Sequence, residues 1–163
     1  MSIDFDASGI RVVAMDATTV TDVCWAFERQ CAGRVVRFLR GAKMADACGV
    51  FDQFGAALQF PYYFGENWPA FSECIQDLSW LPATNYLLVV LDAAEVLKGV
   101  DEEFAKLVSI LHDCCEKWPL GFDLGQPWAR QAASFQVLLQ TDVENSDALK
   151  RRLVAADSIR RKS

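Results

Sequence analysis

"NYLLVVLDA", residues 85–93, runs from Tyr86 to Leu91 without a polar side chain other than the tyrosine hydroxyl. A strand with one wet face alternates apolar and polar residues. A strand without that alternation is covered on both faces, the usual condition of a parallel sheet held between helices. The neighbouring segments agree. "RVVRFLRG" (34–41) places Val36 and Phe38 on one side and Val35 and Leu39 on the other, and "IRVVAM" (10–15) and "SFQVLLQT" (134–141) read as further strands. Between the strands the spacing turns helical. It predicts a helix over 18–33 closed by Gly33, and one over 45–60 through Val50, Phe51, Phe54 and Leu58. Further helices are predicted from Trp68 to Leu78, over 101–118 with acid in the first turn, and over 146–162 with a basic tail. Residues 119–133, with Pro119, Gly121, Gly125 and Pro127, read as a long irregular connection. Strands separated by helices predict an α/β layer around a small, mostly parallel sheet.

A chain of 163 residues suits a single domain with its own core. With 52% hydrophobic and 23% charged residues, disorder is excluded as the main state. A net charge of −6 disfavours nucleic acid and anionic membranes as the main ligand and favours a basic partner. No apolar run approaches the ~18 residues of a membrane span. Asp4 and Asp6 stand where a signal peptide carries positive charge. The six cysteines, none in C-x-x-C spacing, are expected to be reduced thiols, and the protein cytoplasmic.

The catalytic inventory is thin. The single histidine, His112, falls at the edge of the apolar stripe formed on its helix by Phe104, Leu107, Val108, Leu111 and Cys115. Cys114 and Cys115, two and three residues further on the same helix, are badly placed to form a nucleophile–base pair with it. Zinc-ligand spacing and a glycine-rich phosphate loop are both missing. The expectation is a protein that is not an enzyme and needs no cofactor or metal.

Charge and ring distribution are more informative. From Met44 to Leu97 there is no lysine or arginine. Asp46, Asp52, Glu66, Glu73, Asp77, Asp92 and Glu95 give that window a formal charge of −7, against −6 for the whole chain. Inside it lies "FPYYFGENWPAFSECI", residues 60–75, with six aromatic residues broken by Pro61, Gly65 and Pro69. Two prolines and a glycine exclude a core strand, and a loop exposing so many rings is one that binds something. Asn67 fits an N-cap with Pro69 in the first turn, and Gly65 suits a positive φ. On the helix that follows, Trp68, Phe71, Ile75 and Leu78 form an inward stripe, while Glu73 and Asp77 project together on the other face. That face reads either as solvated surface or as a docking face, rings beside charges being a mark of interface hot spots.

"PYYFGENWPAFSEC" (61–74) resembles the signature of the barstar family, intracellular inhibitors of secreted ribonucleases. The resemblance covers residues 34–141, leaving 1–33 as an N-terminal β-α extension and 142–163 as a basic C-terminal helix. It implies a barstar-like fold with three strands, to which the extension would add a fourth. It also implies that the motif loop and helix plug a nuclease active site, with carboxylates mimicking RNA phosphates. By position, Tyr63 and Phe64 match the paired aromatics, Gly65 the turn glycine, Asn67 and Trp68 the residues opening the helix, and Glu73 the main acidic contact, with Asp77 one turn beyond. Pro69 and Ser72 depart from the pattern, standing where an acid and a tryptophan are usual. The implied partner is a basic secreted ribonuclease or related toxin protein. The alternative is a regulatory or immunity role for the same face on a non-nuclease partner. A third reading, nucleic-acid binding through Lys150, Arg151, Arg152, Arg160, Arg161 and Lys162, competes with a solvated helix that also carries Asp147 and Asp157.

Overall fold

The computed structural model describes residues 2–121 and 130–162. Among these the chain forms four strands and five α-helices: β1 Gly9–Ala14, α1 Ala17–Gln30, β2 Arg34–Arg40, α2 Ala47–Ala57, α3 Trp68–Asp77, β3 Asn85–Leu91, α4 Asp101–Lys117, β4 Ser134–Thr141 and α5 Val143–Lys162. Single 3₁₀ turns occupy Gly41–Lys43, Ala93–Glu95 and Trp118–Leu120. Most of the predicted irregular connection, 122–129, lies outside the described residues.

The strands form one sheet in the order β1-β4-β3-β2, with every neighbouring pair parallel. The predicted fourth strand is therefore present, added beside β4. The chain crosses the whole sheet from β1 to β2 and then returns one strand at a time. Right-handed connections made in opposite directions along a sheet lie on opposite faces. Accordingly α1 sits by itself on one face, with Val20, Cys24 and Phe27 against Val13, Val36, Leu87, Val89 and Leu138. α2, α3 and α4 cover the other face, where Tyr86, Leu88 and Val90 meet Phe54, Phe71, Ile75 and Leu111. α5 packs on α4 and adds Leu149 and Ala156 to this larger core. The unbroken apolar run of β3 follows from its place inside the sheet: Tyr86 to Val90 are all buried.

β4 departs from that composition. Gln136 and Gln140 are buried on the α1 face and bind the N-terminal segment. Gln136 donates to the Asp4 carbonyl at 2.8 Å, and Gln140 donates to the Met15 carbonyl at 2.7 Å while accepting from Asp92 N at 2.9 Å. Phe5 stacks on Phe27 with centroids 4.2 Å apart. The open edge of β2 is blunted by side chains: Val36 N donates to Glu28 Oε1 at 2.9 Å and Arg40 N to Gln53 Oε1 at 3.0 Å. Backbone donors used in this way are withheld from strand addition by another chain.

Helix boundaries differ from the sequence reading for local reasons. α1 stops at Gln30, short of Gly33, because Cys31 is extended (φ −149°). The end of the helix is capped by Arg34, which donates to the Phe27 carbonyl at 2.8 Å with its guanidinium 3.9 Å over the Phe27 ring. Gly33 does take a positive φ of 89°, but as the turn into β2. α2 is shorter than 45–60: Asp46 caps its start through Gly49 N, and Phe60 N turns back to the Gly55 carbonyl at its end. α5 begins at Val143, earlier than expected.

All six cysteines are free; Cys24, Cys74, Cys114 and Cys115 are buried, and Cys31 and Cys48 are exposed. Burial pushes the Cys24 thiol up to about 11 and the Cys115 thiol up to about 12, so at neutral pH neither supplies reactive thiolate. A thiol reagent should therefore label two sites rapidly in the native protein and all six after denaturation without reductant. Fewer than six in fresh material would reveal a disulfide and contradict the reduced state.

Candidate protein-docking site

The aromatic turn divides its rings between two tasks. Beyond α2 the chain reverses at Gln59 (φ 53°), and a β-turn closes where Phe64 N donates to the Pro61 carbonyl at 2.9 Å. Phe60 and Phe64 meet edge to face at 5.0 Å, Phe51 receives both Phe64 (5.9 Å) and Trp68 (5.0 Å), and Trp68 meets Phe71 at 5.7 Å. These rings brace the turn on the core. Tyr62 and Tyr63, at the two central turn positions, face outward: Tyr62 is fully exposed and Tyr63 65% exposed. Of the paired aromatics in the motif, then, Tyr63 is offered to solvent and Phe64 is mostly structural.

Gly65 does not take the positive φ expected of it; the left-handed residue is Glu66, at φ 50°. Glycine spares the Asn67 side chain a crowded contact instead. A Cβ there would come within 3.0 Å of Asn67 Nδ2, which donates to the Gly65 carbonyl at 3.1 Å. The same carboxamide caps the motif helix, its oxygen accepting from Ala70 N at 2.9 Å. Asn67 thus ties the turn to α3 with one side chain, and Pro69 occupies the first turn as expected.

α3 buries Phe71, Cys74 and Ile75, and its C-cap residue Leu78 is buried in a left-handed conformation (φ 45°). Trp68 is half-buried, and Glu73 and Asp77 stand on the exposed face. Together with Tyr86, Trp118 and Arg130, these two carboxylates line a cleft beside the helix. The remaining acids of the window are not equally available. Asp46 caps α2, Asp77 accepts from Ser79 N at 3.3 Å, and Glu95 pairs with Lys98 at 2.9 Å. Among the described residues Asp52, Glu66, Glu73 and Asp92 make no ion pair, and of these only Glu73 lies on the motif helix. Cations from outside the window gather instead at the C-terminal end of α3, where carbonyls lack helical partners. Arg130, its guanidinium 3.8 Å over the Trp118 ring, donates to the Gln76 carbonyl, and Trp118 Nε1 donates to the Ile75 carbonyl at 3.3 Å.

Glu103, on α4, is a site residue that sequence reasoning missed. Its Oε2 accepts from Trp68 Nε1 at 2.6 Å, and its other oxygen pairs with Lys106 at 2.7 Å. The Lys106 bond, then the Trp68 bond, hold the Glu103 carboxyl below the usual glutamate range. A depressed carboxyl contributes stability above its unfolded pKa and loses it as pH falls through the folded value. Glu103→Gln should therefore lower stability by no more than about 1 kcal/mol at pH 7, given the partial exposure of the pair. In chemical denaturation the gap from wild type should narrow as the pH falls below the ordinary glutamate range; a gap of equal size at neutral and acid pH would show that the charge is irrelevant.

No catalytic arrangement competes with this site among the described residues. His112 is half-buried 3.7 Å from Asp157, and burial lowers its pKa. Cys114 and Cys115 point into the core. Among the described residues no cluster of three or more His, Cys, Asp or Glu could hold a metal, and no helix is long and apolar enough to cross a membrane. The basic tail is largely engaged internally. Arg152 binds Asp101 and the carbonyls of Val96 and Leu97, Arg160 bridges Asp113 and Glu116, Arg161 pairs with Asp157, and Lys150 pairs with Asp147.

Comparison with known proteins fits this geometry. No match was found among curated proteins. The family described as Barstar (barnase inhibitor) matches residues 34–140, a span from β2 into β4 that contains the aromatic turn, the motif helix and Glu103, and leaves β1, α1 and α5 outside. With its motif helix capped, braced and acidic on its open face, the chain belongs to the barstar family.

Proposed function

We propose that this protein binds a basic secreted ribonuclease and occludes its active site, acting inside the cell as an antitoxin or immunity protein and performing no chemistry itself. Barstar-family proteins are inhibitors, and the family implies a ribonuclease partner in general. The observation that carries the reading to this chain is Glu73: an exposed carboxylate without an ion pair among the described residues, on a helix anchored by its other face. Such a group can enter a phosphate-binding pocket with little rearrangement, and preorganisation favours affinity. Its charge, with that of Glu66 nearby in sequence, would steer a cationic enzyme toward the face and speed association at low salt.

The test is capture from the secreted fraction of the source cell, followed by an RNA-hydrolysis assay with the captured protein and with barnase. Inhibition at one-to-one stoichiometry supports the reading; a captured partner without ribonuclease activity overturns it. A second reading, a non-nuclease partner for the same face, is favoured by Pro69 and Ser72, where the family pattern has an acid and a tryptophan. The capture experiment separates the two directly.

A further inference from the structure

We propose that Tyr62 and Tyr63, with Glu66, form a seat for one arginine side chain of the protein partner, separate from the Glu73 contact. The proposal rests on the docking face described above and adds the chemistry of its outer edge.

The central positions of a β-turn usually hold glycine, asparagine, aspartate, serine or proline, for conformational reasons. Here both hold tyrosine, on a turn closed by the Phe64–Pro61 hydrogen bond at 2.9 Å. The two rings meet each other edge to face, with centroids 5.6 Å apart and planes at 79°. An edge-on pair leaves ring faces open, and the negative face of the π-system attracts a cation. The base beneath does not yield, because Phe64 is packed against Phe51, and Phe60 against Phe64, Phe71 and Trp80.

Charge selects the occupant. Lysine and arginine are absent from residues 44 to 97, and Glu66, two residues beyond Phe64, forms no ion pair among the described residues. Elsewhere the protein covers ring faces with its own arginines: Arg34 over Phe27 at 3.9 Å, Arg130 over Trp118 at 3.8 Å and Arg152 over Phe104 at 3.8 Å. The tyrosine pair has no such cover among the described residues. A guanidinium can stack on a ring and bond a carboxylate at the same time, which an ammonium does less well. Glu73 lies five residues into the helix from Trp68, about 7.5 Å further along its axis. The two contacts can therefore be tested separately.

Two measurements decide the proposal. The first uses ring-¹³C tyrosine NMR of the whole protein, titrated with the capped peptide acetyl-Gly-Arg-Gly-amide and with its lysine counterpart. Tyr62 and Tyr63 resonances should move, more for arginine than for lysine, and less in Glu66→Gln. Buried Tyr86, whose hydroxyl donates to the Leu81 carbonyl at 2.7 Å, is the internal control and should not move. No difference between the arginine peptide and acetyl-triglycine-amide would overturn the seat. The second measures inhibition of the captured ribonuclease. Tyr62→Leu, which keeps an apolar side chain but loses the ring, should raise the Kd about 5- to 10-fold, and Tyr62→Phe should restore it. An unchanged melting temperature, expected for so exposed a residue, shows that folding is intact. Leucine matching phenylalanine would overturn the proposal while leaving the inhibitor reading intact. If wild type inhibits no ribonuclease, the inhibitor reading fails and the peptide titration alone decides the seat.

Discussion

Deleting residues 1–33 should leave a chain that no longer folds as a soluble monomer, although the segment that matches the family would be untouched. The deletion removes β1 and α1 together, and α1 is the helix that covers its face of the sheet. Val36, Leu87, Val89 and Leu138, now buried against Val20, Cys24 and Phe27, would meet water. Burial of one such side chain contributes about 1.5–3 kcal/mol. Four of them, with the lost helix residues, amount to as much as the roughly 5–15 kcal/mol by which a domain is stable at all. The sheet would suffer as well. β4 would become an edge, and Gln136 and Gln140 would lose the Asp4 and Met15 carbonyls. Size-exclusion chromatography, near-UV circular dichroism and binding of a hydrophobic dye would show aggregation or loss of fixed packing. A cooperative monomer from residues 34–163 would show instead that β1 and α1 are dispensable ornament. Phe27→Ala is the milder companion: it removes the ring on which Phe5 and Arg34 stack and should destabilise by about 3–5 kcal/mol while leaving a foldable chain.

What was readable in the sequence follows from how local the causes are. The β3 run announced burial on both faces, since nothing but two covered faces accounts for Leu87 and Leu88 side by side. The N-cap at Asn67, the proline in the first turn and the outward placement of Glu73 and Asp77 depend on residues within one or two turns, and all were legible. Glu103 was not. It reaches Trp68 from 35 residues away, so only the packing of α3 against α4 reveals the bond. Gly65 was misread because positive φ is the commonest reason for glycine in a turn, whereas here glycine spares the Asn67 carboxamide a crowded contact. Left-handed geometry passes to Glu66, at a cost of roughly 1–2 kcal/mol that the bracing rings offset. The cation beside the helix was hidden for the same non-local reason: Arg130 lies far outside the acidic window in sequence yet bonds the C-terminal end of the motif helix. The window is therefore less uniformly acidic in space than along the chain: Lys98 pairs with Glu95 and Arg130 sits at the end of α3. Of its acids with neither an ion pair nor a hydrogen bond from a neighbour among the described residues, only Glu73 stands on the motif helix.

Its place on the motif helix makes Glu73 the residue whose loss should weaken a complex most. Its side chain is exposed and has no ion-pair partner among the described residues, so Glu73→Ala should change folding stability by no more than about 0.5 kcal/mol. Against the captured ribonuclease the same substitution should cost about 2 kcal/mol or more, near thirtyfold in Kd, the range of interface hot spots. Pro69 and Ser72 place neither a charge nor a large ring on the neighbouring turn, which leaves Glu73 with little to compensate its removal. Glu73→Gln keeps the shape and removes the charge. Most of the loss should persist in it, and should shrink as salt rises from 0.05 to about 0.5 M, because screening weakens the wild-type contact and leaves the neutral variant unchanged. Glu95→Gln is the matched control: its carboxylate is already neutralised by Lys98, so its effect should be small and confined to the association rate. Equal, mild effects of the two substitutions would mean that the acidic window serves solubility. A large Glu73→Ala effect that glutamine fully repairs would mean that the contact is one of shape, and phosphate mimicry by the motif helix would have to be abandoned.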